Sequence, residues 1–270
     1  MNREQKRSPN RYERIIETIF NRRYVEGGEG IEFSRDELAE AAHELGVPLP
    51  KNLGDLVYSF RYRTPLPESV REKAPPGKVW IIRPAGPSRY RFVAVRELVL
   101  APNPAYAETR LPDATPGVIA TYALTDEQAL LARLRYNRLV DIFTGVTCYS
   151  LQSHLRTSVP GLGQVETDEI YIGLDRRGAH YVIPVQAKGG NDRLSVVQIE
   201  QDFALCAAKF PNLIARPIAA QFMAGDVIAL FEFEMVGEEV RVVAERHYRL
   251  TPPGEVTPDD LQAYASRPLS

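Results

Sequence analysis

GQVETDEIYIG, residues 163–173, and YVIPVQAKGG, residues 181–190, both run like strands, yet each carries polar side chains in its middle. Glu166, Asp168 and Glu169 interrupt the first stretch, and Gln186 and Lys188 interrupt the second. Strand side chains alternate between faces with period two. Glu166 and Asp168 therefore share one face, Gln186 and Lys188 share a face of their own strand, and Glu169 falls on the solvated face of the first. LDRRGAH, residues 174–180, is short enough to fold the two strands onto each other. Paired in this way, the four polar groups converge. A carboxylate, a neighbouring oxygen ligand and a lysine suit a hard cation such as Mg²⁺ or Mn²⁺, which takes oxygen ligands and usually one or two protein carboxylates. A lysine beside that cation orients a water, and the cation lowers the water's pKa and offsets charge building on a phosphate.

Around these strands the composition is that of an ordinary soluble globular protein. The chain has 270 residues, 44 % of them hydrophobic and 25 % charged. That length accommodates one large domain or two ordinary ones. No apolar run approaches the ~20 residues of a membrane span, and MNREQKRSPN lacks a signal's apolar stretch. Only Cys148 and Cys206 are present, which excludes a Cys-rich zinc site and a disulfide framework and predicts a cytoplasmic setting. The formal net charge of −2 is unevenly spread. Residues 1–96 hold 18 Lys/Arg against 13 Asp/Glu, and the remainder hold 15 against 22. The basic front part suits a polyanion.

Helical spacing of Ile15, Ile16, Ile19 and Phe20 predicts a first helix over residues 12–24. Ser34 with Glu37 forms a capping box that starts a second helix, and a third spans about 51–63. KVWIIRPAGPSRYRFVAV, residues 78–95, reads as a β-hairpin. Three helices and a hairpin follow the order of a winged helix-turn-helix module, so residues 1–99 are expected to bind DNA. Four prolines between 100 and 118 mark a linker. Residues 119–250 form the second domain. It opens with a helix over 126–142 and a short helix over 149–157, followed by the two opening strands, a helix over 195–209 and three further strands. GVTCYS, residues 145–150, is a weaker candidate for a strand ahead of the acidic one. Residues 251–270 form a Pro-rich tail.

The residues VETDEIYIG, VIPVQAKGG and VVQIEQD together resemble the PD-(D/E)XK nuclease superfamily in its restriction-endonuclease branch. Having Gln where that motif carries an acid is similar to the Mrr-type QxK variant. The resemblance covers about residues 126–250. It implies an α/β fold, a mixed sheet flanked by helices, with one divalent-metal site behind the winged-helix module. It also implies a metal-dependent endodeoxyribonuclease of restriction or defence, acting on double-stranded DNA as a homodimer. Asp168 would bind the metal directly, Gln186 would offer its side-chain oxygen, and the Ala187 carbonyl a further ligand. Lys188 would position the attacking water, Glu166 would hold a metal water or second ion, and Gln198 would orient Lys188 or contact the backbone. Arg61 and Arg63 at the end of the third helix, with Lys78, Arg89 and Arg91 on the hairpin, would contact DNA. Gln is neutral, so the competing expectation is a non-catalytic DNA-binding regulator or recruiter.

Overall fold

The computed structural model describes residues 10–28, 30–49, 53–62, 64–98, 100–122, 126–189 and 194–267. The chain divides into two compact units, residues 1–99 with 158–164 and the remaining residues. No described helix is long and apolar enough to cross a membrane.

The first unit runs α1 (Arg11–Arg23), β1 (Gly30–Ser34), α2 (Arg35–Glu44), α3 (Leu53–Tyr62), α4 (Glu68–Arg71), β2 (Lys78–Pro84) and β3 (Arg89–Arg96). Capping boxes start α1 at Asn10 with Glu13 and α2 at Ser34 with Glu37, so donors left unpaired at each helix start find side-chain acceptors. Ile15, Ile16, Ile19 and Phe20 form the buried face of α1. They close over Leu38, Leu56, Val57, Trp80, Ile82 and Phe92, with Phe20 meeting Trp80 and Phe92 edge-on. The three strands pair antiparallel in the order β1-β3-β2. Strand β1 is an element that the sequence reading did not include. Its signal is the alternation of buried Ile31 and Phe33 around exposed Glu32.

The second unit runs β4 (Glu108–Pro112), α5 (Gly117–Tyr122), α6 (Asp126–Tyr136), α7 (Leu139–Thr144), β5 (Thr147–Val159), β6 (Gly163–Leu174), β7 (His180–Lys188), α8 (Val196–Lys209), β8 (Ile214–Ala215), β9 (Ile218–Phe222), β10 (Val227–Val236), β11 (Glu239–Thr251) and α9 (Pro258–Ala265). The mixed sheet has the order β4-β11-β10-β9-β7-β6-β5, with β8 also on β7. Three expectations are corrected here. Residues 108–112, assigned to a linker, form an edge strand parallel to β11. The helix expected over 126–142 breaks at Asn137, which is buried and bonded to Asp113, Thr115 and the Arg133 carbonyl, and at Arg138, whose φ is 54°. Residues 149–157, read as a helix, belong to β5. That strand lies at the sheet edge with nearly every side chain exposed, so burial imposes no period on its sequence.

Strand β7 is buried on both faces, as the centre of a covered sheet must be. Ile183, Val185 and Ala187 pack with Leu130, Leu134, Leu139 and Val140 of α6 and α7. Gln186, on the other face, meets α8. The link from β7 through α8 to β9 joins two parallel strands, paired from Val185–Ile218 to Lys188–Gln221. Pro184, which cannot donate to a ladder, continues β7 without ending it. On that side the pairing passes from β8 to β9 at residues 183–184, where the chain crosses Arg216 and Pro217. No ladder bond is required of the proline there. The LDRRG turn closes through Asp175, whose carboxylate accepts from the Arg177 and Ala179 amides and, held mainly by the Ala179 amide, is lowered to about 2.

Candidate active site

Strands β6 and β7 pair regularly from Leu174–His180 to Glu169–Val185, and the ladder then stops although both strands continue. At this splay the Asp168 carboxylate accepts the Ala187 N–H at 2.7 Å, replacing a ladder acceptor with a side chain. The Gln186 amide reaches back to the Glu166 carbonyl at 3.3 Å. Asp168 is largely withdrawn from water. Burial raises its pKa, the Ala187 amide and Lys188 oppose the rise, Glu127 adds to it, and His154 again opposes it. A carboxylate in this condition gains from a cation.

Lys188 supplies such a charge. Its ammonium lies 3.5 Å from Glu127 Oε1, and its side chain is only 11 % exposed. Glu127 stands on the first turn of α6, beyond the reach of any strand-spacing argument, and the sequence reading did not include it. Asp168, Lys188 and Glu127 therefore form the charged centre at the splay. Among the described residues no three His, Cys, Asp or Glu side chains gather as a ready-made metal cage. Two carboxylates around a lysine are nonetheless a donor set that Mg²⁺ accepts, since it keeps most of its waters.

The other expected members of the site are placed differently. Gln186 is buried, and its Nε2 donates to both oxygens of Asp202, at 3.2 and 3.0 Å, besides the Glu166 carbonyl. Its Oε1 accepts from Gln198 Nε2 at 3.4 Å. The Gln186 amide thus braces β7 on α8, and Gln198 orients Gln186 where Lys188 was expected. Ala187 is wholly buried, and its N–H is the group that holds Asp168. The Glu166 side chain points to Arg156, 2.9 Å away in an exposed pair. Glu169 is not solvated: it is fully buried against Arg135 and Ser150 on the face opposite Gln186. Period two alone cannot say which face meets a helix, and here both do.

Asp202 is the residue beneath this arrangement. Its one signal in the sequence is that it continues, one turn on, the row begun by Gln198. Burial pushes its carboxyl up to about 8, with the Gln186 amide opposing and the Asp168 charge adding to the rise. Folding therefore takes up a proton at Asp202 between about pH 4 and pH 8, and stability falls as pH rises through that window. Asp202→Asn removes a gradient of up to about 1.4 kcal/mol per pH unit. Urea midpoints of variant and wild type should agree near pH 4, the foot of that window, and separate in the variant's favour at pH 8. An equal pH dependence in both would exclude Asp202 as the source.

Burial pushes the Cys148 and Cys206 thiols up to about 11 and about 12, so neither is a poised nucleophile. Of the residues expected to touch DNA, Arg89 and Arg91 are exposed on one face of β3, with Arg91 paired in register with Arg83 and Glu32. A Cβ at Gly30 would lie 2.5 Å from Arg91 Nε, so glycine there lets the arginine cross β1. Lys78 is exposed but pairs with Arg96 at the far end of the hairpin, about 17 Å along the strand from Arg83. Arg61 is half-buried with its guanidinium over the Tyr62 ring, and Arg63 lies outside the described residues. Comparison of the chain with models of known protein families, with curated proteins and with solved structures finds no match.

Proposed function

We propose that the chain is a metal-dependent endodeoxyribonuclease, a PD-(D/E)XK-like fold behind a winged-helix-like DNA-binding unit. The observation that carries this reading is the convergence of Asp168, Lys188 and Glu127 where β6 and β7 splay. The order of the surrounding elements supports it, because strand β5 precedes the acidic strand and β7 leads through a helix to a parallel partner. In the first unit, β1 and the β2–β3 hairpin complete a helix-and-wing arrangement with Arg83, Arg89 and Arg91 at the hairpin.

Mg²⁺ or Mn²⁺ would be held by Asp168 and Glu127, supplying positive charge to the phosphate and acidity to a bound water. Gln186 and the Ala187 carbonyl are no longer needed as ligands in this version. Asp168 is fixed by the Ala187 amide, which leaves its second oxygen for the ion. Lys188 holds the attacking water and screens the scissile phosphate. Hydrolysis forms a P–O bond to the water oxygen and breaks the P–O bond to a deoxyribose oxygen. Gln186, Gln198 and Asp202 form the platform beneath, keeping β7 in place as the substrate strand passes. Cutting both strands of a duplex calls for two such sites, hence a homodimer. A restriction or defence role and a cytoplasmic setting complete the proposal.

The neutral, fully engaged Gln186 amide favours one second reading, a DNA-binding recruiter that does not cut. Supercoiled plasmid, modified and unmodified, separates the two. Nicking or linearisation in Mg²⁺ or Mn²⁺, stopped by EDTA and lost in Asp168→Ala, is the expected result. Metal-indifferent binding with no cut on either plasmid would establish the recruiter.

A further inference from the structure

We propose that His154 is a further catalytic residue of this site, donating an imidazole N–H to the scissile phosphate from the edge strand beside Asp168. The inference rests on the nuclease reading and adds a residue to it. Two contacts tie β5 to its neighbour β6 here, Arg156 to Glu166 at 2.9 Å and Ser150 to Glu169 at 2.6 Å. His154 lies between Ser150 and Arg156 on one strand, as Asp168 lies between Glu166 and Glu169 on the other, so both belong to the same stretch of the hairpin. The charge of His154 is felt at Asp168, in agreement with that placement.

Three features distinguish His154 from an ordinary surface residue. Its φ is 49°, in the middle of a 13-residue strand. A left-handed residue there interrupts the flat edge and is strained backbone. Its ring is exposed and has no hydrogen-bond partner among the described residues. Finally, β5 contains no Asp or Glu, so nothing on its own strand competes with an anion for the ring. The same kink that presents the imidazole turns the edge away from strand-to-strand pairing with a second copy. A phosphodiester fits the donor set of Gln152, His154 and Arg156 better than an apolar partner does. Arg156 is in an exposed ion pair, which is worth little and is readily exchanged for a phosphate.

The test uses His154→Asn and His154→Gly in the full-length protein. Asn tolerates the left-handed region and Gly is free in it, so both keep the backbone while removing the ring. Turnover of supercoiled plasmid in Mg²⁺ should fall about 10- to 100-fold, the worth of one hydrogen bond to a charged group. KM and duplex binding in EDTA should stay within about 2-fold of wild type, a split expected of an interaction made mainly in the transition state. Added imidazole should restore part of the turnover of His154→Gly, a rescue that a purely structural role would not show. Wild-type turnover in both variants would overturn the proposal and reduce His154 to a local kink. A loss that follows a shift in sedimentation would overturn it too, marking β5 as a contact between copies. If the wild type itself does not cut while the duplex still binds, the nuclease reading fails and this proposal fails with it.

Discussion

Lys188→Met should slow single-turnover nicking of supercoiled plasmid by about 10³-fold, the scale of losing one preorganised charge from a transition state. Met keeps the apolar stem of a side chain that is almost wholly buried at the end of β7, so the packing of the strand survives. What disappears is the ammonium between two carboxylates. Burial and the Glu127 charge raise the pKa of Asp168, and Lys188 is among the groups opposing the rise. Without it the pKa rises further and the carboxylate competes less well for a metal. Raising the pH or the Mg²⁺ concentration should then recover part of the loss but not the share due to Lys188's own contact with water and phosphate. Duplex affinity in EDTA should change by less than about 3-fold, because one phosphate contact among many is removed. A variant within 10-fold of wild type at saturating metal would take Lys188 out of the chemistry.

The largest expected loss of stability lies on the opposite face of β6. Glu169 is fully buried, and its Oε1 accepts from Arg135 Nε and Nη2, at 3.1 and 2.8 Å, and from Ser150 Oγ at 2.6 Å. Its Oε2 and the nearby Tyr171 hydroxyl are buried with no partner among the described residues. Arg135 is thus the sole cation bonded to this carboxylate there. Arg135→Met would leave the buried Glu169 charge without its cation and should cost about 2–3 kcal/mol, below most fully buried pairs because the Arg135 side chain is itself half-exposed. A drop of about 10 °C in the melting midpoint of the second unit follows, read by circular dichroism. The double variant Arg135→Met with Glu169→Leu should recover most of the loss, since a packed apolar pair removes the desolvation cost along with the attraction. A double variant no better than the single would mean that the ion pair itself, and not the orphaned charge, carries the stability. Plasmid nicking by the double variant should remain near wild type, because Glu169 faces away from Gln186 and Asp168.

The amino-acid sequence by itself determined the elements whose signals are local. Asn10 with Glu13 and Ser34 with Glu37 start helices whatever surrounds them, and Gly237 turns the β10–β11 hairpin. The alternation in residues 163–173 and 181–188 placed β6 and β7, and with them Asp168 and Lys188. Long-range pairing decided the rest. Strand β4 exists because Glu108–Pro112 lies along His247–Thr251, more than a hundred residues away, and five residues carry no such instruction. Strand β5 sits at an edge, where exposure on both faces erases the period that would reveal it. Gln186 looks like a ligand by spacing and becomes a brace because α8 brings Asp202 and Gln198 against it. Glu127 joins Lys188 because the first turn of α6 comes to the end of β7, where the lysine is the last residue of the strand. Only that packing specifies which carboxylates meet the lysine, since a period of two assigns residues to faces but leaves open what covers each face.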